Sequence, residues 1–459
     1  MALLIKNGII GTAERSFRGD VLIEGEKIAA VGENVHCGCA EVIDAAGCYV
    51  APGGVDPHTH VMLRSGRNKV SDGFEAATKA ALWGGTTTIA EHPSFAAHGA
   101  PLSAAIDSTL KEAEGHAWTD FGVHLVLQRF DESISEELAL RVGEGFPTGK
   151  VYTTYDGRLC DEDIYPLMKR MAELNGLLLY HCENNAIVAG TAAAFKSEGR
   201  TGAADWPASR PDYCEAEAVN RVLSLARSAG VPSYIVHLST AAGLKVVSEA
   251  RKRGQRVFVE TCPQYLTLSD KRCGEENGLE YLMAPPLRGA KDCDALWKAL
   301  GNGAVDTVGT DHCSFSRADK VRLGRKDVFK APCGIPGIET RLMLLFSEGV
   351  LKNRISFEQF VAVTATNPAN MLGFENKGRI EAGADADIIL IDPDAEKTLS
   401  VKTLHQKVDY TPFEGITVRG LSKYVWLRGR SMIANGRFMA RKPRGVLVRR
   451  HIAGQVDSR

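Results

Sequence analysis

Val50-Ala51-Pro52-Gly53-Gly54-Val55-Asp56-Pro57-His58-Thr59-His60 is the stretch around which the rest of the chain is organised. An apolar run ends in it, a proline and two glycines interrupt the run, and two imidazoles follow one residue apart. Side chains alternate across an extended segment, so His58 and His60 share a face and can reach one point. Neutral imidazole is the commonest protein ligand of zinc, and a pair held on a strand end loses little entropy in closing on an ion. Standing alone, a His-x-His is also what a turn with two histidines looks like, so its meaning depends on what else converges there.

Outward from this stretch the chain alternates short apolar runs with helical segments. Runs rich in β-formers occur at Tyr49–Val55, Thr86–Ala90, Phe121–Leu127, Val151–Tyr155, Leu177–Tyr180, Tyr234–Val236, Arg256–Thr261 and Val305–Thr310. Between them Phe74–Trp83, Leu102–Glu114, Asp163–Leu174, Glu215–Ala229, Ala242–Lys252 and Asp294–Leu300 carry helical character. Eight such strands, apolar on both faces and alternating with helices, predict an α/β fold with a closed parallel (β/α)8 TIM-like barrel. An open doubly wound sheet is disfavoured, because no Gly-x-Gly-x-x-Gly follows the first strand and reactive residues end many strands, not one pair. Before residue 50 and after about 374 the pattern is purely β, as in Leu3-Leu4-Ile5-Lys6-Asn7-Gly8 and Ala386-Asp387-Ile388-Ile389-Leu390-Ile391. Neither end has enough apolar surface alone, so residues 1–50 and 374–459 are expected to build one accessory β-sandwich flanking a barrel of residues 51–373. The basic end, Lys442 to Arg459, reads as an arm, mobile or docked on a neighbour.

Composition bounds the function. The chain has 459 residues, 44% hydrophobic and 24% charged, which excludes disorder, collagen and a membrane-spanning class. A formal net charge of −1 leaves no basic field to recruit nucleic acid or anionic lipid, and favours a small, roughly neutral substrate. The first residues, Met1 to Gly8, carry no charged leader, long apolar segment or cleavage site, so a cytoplasmic location is expected. The 11 cysteines, an odd number without framework spacing, suit reduced thiols, and Cys37-x-Cys39 reads as a pair of loop or edge-strand thiols.

In a parallel barrel the chemistry belongs at the C-terminal strand ends. His58 and His60 follow the first apolar run, Lys150 opens the fourth, His181 closes the fifth, His237 the sixth and Asp311 the eighth. Taken singly, each has a mundane explanation: a strand-end histidine that is merely hydrogen-bonded, or an aspartate that caps the next helix. Independent explanations do not account for joint placement, since groups from separate strands can meet only near the barrel axis.

Together with Gly149-Lys150-Val151-Tyr152-Thr153-Thr154-Tyr155, His181-Cys182-Glu183-Asn184, Val236-His237-Leu238-Ser239, Glu260-Thr261-Cys262-Pro263-Gln264-Tyr265-Leu266 and Gly309-Thr310-Asp311-His312-Cys313, the pattern resembles the cyclic amidohydrolases. Within them it is most similar to the hydantoinase and dihydropyrimidinase branch, and the likeness to bacterial phenylhydantoinases runs over nearly the whole chain. The resemblance implies two divalent metal ions, Zn2+ in most of the family and Mn2+ or Co2+ as substitutes. His58, His60 and Asp311 would hold one ion and His181 and His237 the other, with Lys150 carbamylated to an anionic N6-carboxylysine that bridges them. It implies hydrolytic opening of a cyclic amide, a 5-substituted hydantoin or a dihydropyrimidine, to an N-carbamoyl amino acid. Tyr155 would stabilise the oxyanion and Asp311 would shuttle the proton. It also implies a homotetramer.

Dihydroorotases place an arginine two residues after the second metal histidine, and that position here is Met62, with Arg64 out of register. Met62, Leu63, Phe95 and Leu159 are instead expected to wall an alkyl or aryl substituent. Two positions depart from the family: Ala284 stands where serine is common and Cys333 where asparagine is common. Ring recognition through the main chain would tolerate both, with Pro285 and Pro286 holding one segment extended and Gly334 and Gly337 letting the other approach closely. Allantoinase and dihydroorotase are the alternatives among enzymes, and a non-catalytic scaffold relative is the alternative outside them; retention of all six ligand positions argues against the scaffold.

Overall fold

A computed structural model describes residues 2–66 and 68–452. The two chain ends share one nine-stranded mixed sheet. Ala2–Gly11, Ser16–Glu24 and Lys27–Gly32 pair as antiparallel neighbours, and Ile388–Thr398, Thr417–Leu427, Arg430–Ala434 and Arg437–Phe438 continue the sheet in the same manner. Tyr49–Pro52 joins the halves, parallel to Ile9 and Ile10 and antiparallel to Ile388–Ile391. Alternate residues of these strands, Ile5, Val21, Ile23, Val50, Ile388 and Trp426 among them, form a buried cluster of their own. Neither set of strands could bury that face without the other.

The intervening chain alternates parallel strands and helices. Gly54–Thr59, Thr86–Glu91 and Asp120–Val123 form a three-stranded sheet. Leu125–Val126, Thr148–Tyr152, Leu177–His181, Ser233–Ile235, Val257–Thr261 and Thr307–Val308 form one of six strands. Nearly every residue in these strands is buried, as parallel strands covered on both faces require. Main-chain bonds link the last strand of the six to the first of the three: Asp311 N–H donates to His58 C=O at 3.0 Å, and His60 N–H to His312 C=O at 2.9 Å. At the other junction one strand changes partner at His124, whose N–H donates to Glu91 C=O at 2.9 Å, while Leu127 N–H donates to Lys150 C=O at 3.0 Å. The helices expected from sequence are present within a few residues, as Gly73–Trp83, Leu102–Ala113, Asp161–Glu173, Asp212–Ala229, Ala241–Lys252 and Ala290–Gly301. Among the described residues no helix is long and apolar enough to cross a membrane.

Three expectations need correction. The run Tyr49–Val55 is not one strand: Tyr49–Pro52 belongs to the mixed sheet, and the parallel strand is Gly54–Thr59, because the Pro52-Gly53 step hands the chain from one layer to the other. His58 therefore lies within a strand. The fourth strand is Thr148–Tyr152, so Lys150 sits in its middle and shares a face with Thr148 and Tyr152. The basic end is not a free arm as far as residue 452. Phe121 N–H donates to Val446 C=O at 3.0 Å and Val448 N–H to Phe121 C=O at 2.8 Å, which lays the segment along Asp120–Val123 of the same chain. Arg450 is fully buried there, its guanidinium bonded to Val123 C=O at 2.6 Å and Thr148 Oγ1 at 2.9 Å. Residues 453–459 of the expected arm lie outside the described residues.

Candidate metal centre and active site

Strand order carries the six proposed ligands toward one another. His58 and His60 come from Gly54–Thr59 and the residue after it, Lys150 from Thr148–Tyr152, and His181 ends Leu177–His181. His237 follows Ser233–Ile235, and Asp311 follows Thr307–Val308. His237 and Asp311 have left-handed backbones, φ 39° and 50°, so each chain bends sharply where its side chain is presented. All but Asp311, which is partly open, are buried.

The donor atoms are spaced for a metal. His58 Nε2 and His60 Nε2 are 3.3 Å apart, and Asp311 Oδ1 is 3.3 Å from the first and 3.2 Å from the second. A tetrahedral zinc ion with Zn–N of about 2.0–2.1 Å sets neighbouring ligands roughly 3.3 Å apart, the spacing of this triangle. Lys150 Nζ stands 3.2 Å from His58 Nε2. Ligand atoms of His58, His237 and Asp311 form a second cluster, all within 4.8 Å of one another. His181 lies edge-on to His237, ring centres 4.5 Å apart, but belongs to neither cluster. Nδ1 of His60 and of His237 are buried without a hydrogen-bond partner among the described residues. The donor set therefore fits divalent metal, with two histidines and a carboxylate at one place and two further histidines beside it.

Carboxylates behind the histidines fix their orientation. Glu260 Oε1 lies 2.7 Å from His58 Nδ1 and accepts from His237 N–H at 3.0 Å, while its Oε2 accepts from Tyr234 Oη at 2.9 Å. Burial pushes the Glu260 carboxyl up to about 8. Glu183 Oε2 is 2.7 Å from His181 Nε2, and Glu183 accepts two bonds from Arg210, Nε at 2.9 Å and Nη2 at 2.7 Å. Burial works to raise Glu183, but Arg210 and then His181 outweigh it and hold the carboxyl well below the usual range. His181 Nε2 thus donates to a carboxylate, which leaves Nδ1 as the nitrogen that could face a metal. His312 holds the chain beside Asp311: Nε2 donates to Asp72 Oδ2 at 2.9 Å, and Nδ1 accepts from the N–H groups of Gly337 at 3.1 Å and Ile338 at 3.3 Å. Burial, with nearby cations adding to it, pulls His58, His92, His124 and His237 well below the ordinary histidine value. His181 is lowered too, by burial against the opposing pull of Glu183. Burial also lowers Lys150, to about 8, against the attraction of Asp311 and Glu260. Neutral imidazoles and a lysine that gives up its proton readily are the states a metal needs.

Tyr155 stands on the loop after Thr148–Tyr152 with φ 74°, its ring 5.1 Å from that of His181. Burial keeps its hydroxyl well above the ordinary tyrosine value despite Arg210, so it remains a donor. Gly334 N–H donates to Leu282 C=O at 2.9 Å, and buried Lys320 Nζ donates to both Leu282 C=O at 3.0 Å and Pro332 C=O at 3.1 Å, so the segments around Ala284 and Cys333 are tied together. Both of those side chains pack on a small apolar cluster with Trp206 and Leu282. Gly334 does allow close approach, since a Cβ there would fall 2.5 Å from Cys313, but Gly337 does not need to be glycine for that reason: its nearest neighbour would be 3.9 Å away. Of the four residues expected to wall a substituent, Phe95 is exposed and packs edge-on to Tyr152. Met62 and Leu159 are buried in the main core, and Leu63 packs against Val70, Cys313 and Phe315.

Sequence reasoning missed Glu183, Glu260, His92, Asp72 and Arg210. Glu183 carried a usable signal, standing two residues after His181 on the same face of an extended segment. Glu260 carried the weaker one of a charge ending an otherwise apolar strand.

Residues 49–432 match the model of the amidohydrolase family. The chain is 39% identical over 454 residues to a D-phenylhydantoinase of Escherichia coli O1:K1 / APEC, covering 98% of each. Among solved structures it is similar to a dihydropyrimidinase from Brevibacillus agri NCHU1002, TM-score 0.96 and 40% identity, over 98% of this chain and 99% of that one. It is also similar to a D-hydantoinase from a Bacillus sp. AR9, TM-score 0.94 and 38% identity, over 98% and 99%. A chain that matches the family model over most of its length, and that gathers a His-x-His strand, a buried lysine and strand-end histidines and aspartate at one place, belongs to the amidohydrolase family.

Proposed function

We propose that this protein is a cyclic amide hydrolase that opens 5-substituted hydantoins, and dihydropyrimidines, to N-carbamoyl amino acids. The observation that carries this reading is the triangle of donor atoms from His58, His60 and Asp311, with edges of 3.2–3.3 Å and Lys150 beside it. The similarity to D-phenylhydantoinase and dihydropyrimidinase supports the choice of substrate. On this reading the two parallel sheets, linked at His58–Asp311 and at His124, are one (β/α)8 barrel of residues 51–373, and residues 1–50 and 374–459 form the accessory β-domain. The assembly is a cytoplasmic homotetramer.

His58, His60 and Asp311 would hold one ion, His181 through Nδ1 and His237 the other. Lys150 would join them as a carbamate, formed when its neutral amine adds to carbon dioxide and releases a proton. Two divalent ions, zinc in the first instance, would polarise the ring carbonyl and lower the pKa of a water. The chain supplies the rest. Tyr155 donates its hydroxyl to the oxygen that gains charge, and the main chain around Ala284 and Cys333 orients the ring amides. Asp311 has Oδ1 engaged with the two histidines, so Oδ2 takes the proton from water and returns it to the ring nitrogen as the C–N bond breaks. Water is thereby added across one amide. Phe95 is the apolar surface for the substituent.

The position that carries arginine in dihydroorotases is a buried methionine here, and Arg64 is exposed, which disfavours a carboxylated ring. The test is turnover of phenylhydantoin, dihydrouracil, allantoin and dihydroorotate by metal-loaded protein, wild type and Lys150→Ala. Turnover of the first two, lost with Lys150, is expected. Preference for allantoin or dihydroorotate, or activity independent of Lys150, would overturn the reading.

A further inference from the structure

His92 lies against the proposed centre and has no part in it so far. It follows the strand Thr86–Glu91, its N–H donates to Thr59 C=O at 2.8 Å, and its ring is fully buried. The ring centre is 4.3 Å from that of His58 and 5.1 Å from that of His60, and it stacks on His124 at 4.1 Å. His124 is fully engaged, Nδ1 with the Thr148 hydroxyl at 2.8 Å and Nε2 with Pro57 C=O at 3.1 Å. Neither nitrogen of His92 has a hydrogen-bond partner among the described residues. Buried polar atoms are nearly always paired, and a phenyl ring would fill the same stack with no polar atom to satisfy. One ring nitrogen from each of His58, His60 and His92 lies within 4.8 Å of the other two.

We propose that His92 gives this chain a second way to hold metal: a three-histidine site, His58, His60 and His92, that takes one divalent ion of the zinc class without the Lys150 carbamate or Asp311. The proposal rests on the metal-centre reading above. Three neutral imidazoles suffice for a divalent ion with an open position. They need no carbon dioxide, so an ion can reside between the first two strands before Lys150 is modified. His92 then determines the order of assembly, first ion before carbamate.

The test is Co2+ binding by the full chain, followed by metal analysis and visible absorption. Wild type with bicarbonate should bind two ions. Lys150→Met/Asp311→Ala, which keeps none of the carboxylate ligands, should bind one, and adding His92→Phe should weaken that ion at least tenfold. A double variant that binds none, or one whose affinity ignores His92, overturns the proposal while leaving the dinuclear centre standing. Wild type that binds no metal overturns both. Should the double variant fail to fold, zinc-edge X-ray absorption of wild type with half an equivalent of zinc, in buffer free of carbon dioxide, counts the imidazoles directly. Three in wild type and two in His92→Phe are expected; equal counts overturn the proposal.

Discussion

Glu260 Oε1 stands 2.7 Å from Nδ1 of His58, with both side chains fully buried. Burial pushes the carboxyl up to about 8 and the imidazole down, favouring the neutral form of each. A cation at Nε2 reverses the preference, and Nδ1 then donates to a carboxylate. Glu260→Gln removes the negative charge but keeps an acceptor. Metal affinity should fall about 10–100-fold, the usual cost of losing such a partner. Competition with a chelator measures it, and unchanged affinity would show that Glu260 serves only to pack.

Asp311→Asn retains an oxygen that can face the histidines but cannot carry a proton. Turnover of phenylhydantoin should fall by about 10²–10⁴ at full metal occupancy. Stopped-flow assays paired with metal analysis separate lost chemistry from lost metal. Full activity with both metals would assign the proton to another group.

Acid should destabilise the metal-free protein from a definite point. Five buried histidines, His58, His92, His124, His181 and His237, have lowered folded values. Below about pH 6.5 the unfolded chain takes up protons that the folded chain refuses. The histidine contribution is therefore fully present above that pH and falls below it, with a limiting slope of about 1.4 kcal/mol per pH unit for each histidine, and it is partly offset by Glu91 and Glu260, whose folded values of about 8 make their own contribution fall as pH rises. Urea unfolding at pH 7.5, 6.5 and 5.5 reads the slope; stability that rises toward pH 5.5 would mean that the five imidazoles do not outweigh the two raised carboxyls.

Lys377 ties the terminal layer to the parallel sheets. It is 3% exposed and meets Asp120 at 2.6 Å, Asp387 at 2.8 Å and Asp385 at 2.9 Å. Lys377→Met leaves these carboxylates buried without that cation, and should cost about 3–5 kcal/mol. A loss under 1 kcal/mol in urea unfolding would mean that Arg428, which also bonds Asp120, compensates.

Ala284→Ser and Cys333→Asn should each leave kcat/KM for hydantoins within about threefold. Their side chains face an apolar cluster, and the surviving main-chain bonds, each about 0.5–1.5 kcal/mol, orient the ring. A hundredfold gain in either would mean that hydantoins are a poor match for this site.

What the sequence disclosed follows from range. Alternation put His58 and His60 on one face, and a place beside an apolar run singled out Lys150, His181, His237 and Asp311, because those signals span a few residues. Helix limits came within a few residues for the same reason, as at Ala241–Lys252, where the Thr240 hydroxyl caps the helix by accepting from the Gly243 N–H. Partners remote in sequence left no such trace. Glu260 is 202 residues from His58. The break at Pro52-Gly53 became visible only when Ile388–Ile391 was seen to claim Tyr49–Pro52. The path of residues 445–450 depends on main-chain groups of Ala117, Phe121 and Gly145, and a basic composition does not reveal that kind of contact.

The buried Arg450 has a bearing on how the protein is made. Its guanidinium bonds the Thr148 hydroxyl, two residues from Lys150, yet it lies 302 residues further along the chain and is made that much later. The strand Ile388–Thr398, which closes the terminal sheet onto Tyr49–Pro52, also emerges late. A nascent chain lacking these pieces holds the metal residues without the layer beneath them or the sheet beside them. The packing beside Lys150 is therefore completed only long after Lys150 itself has been made.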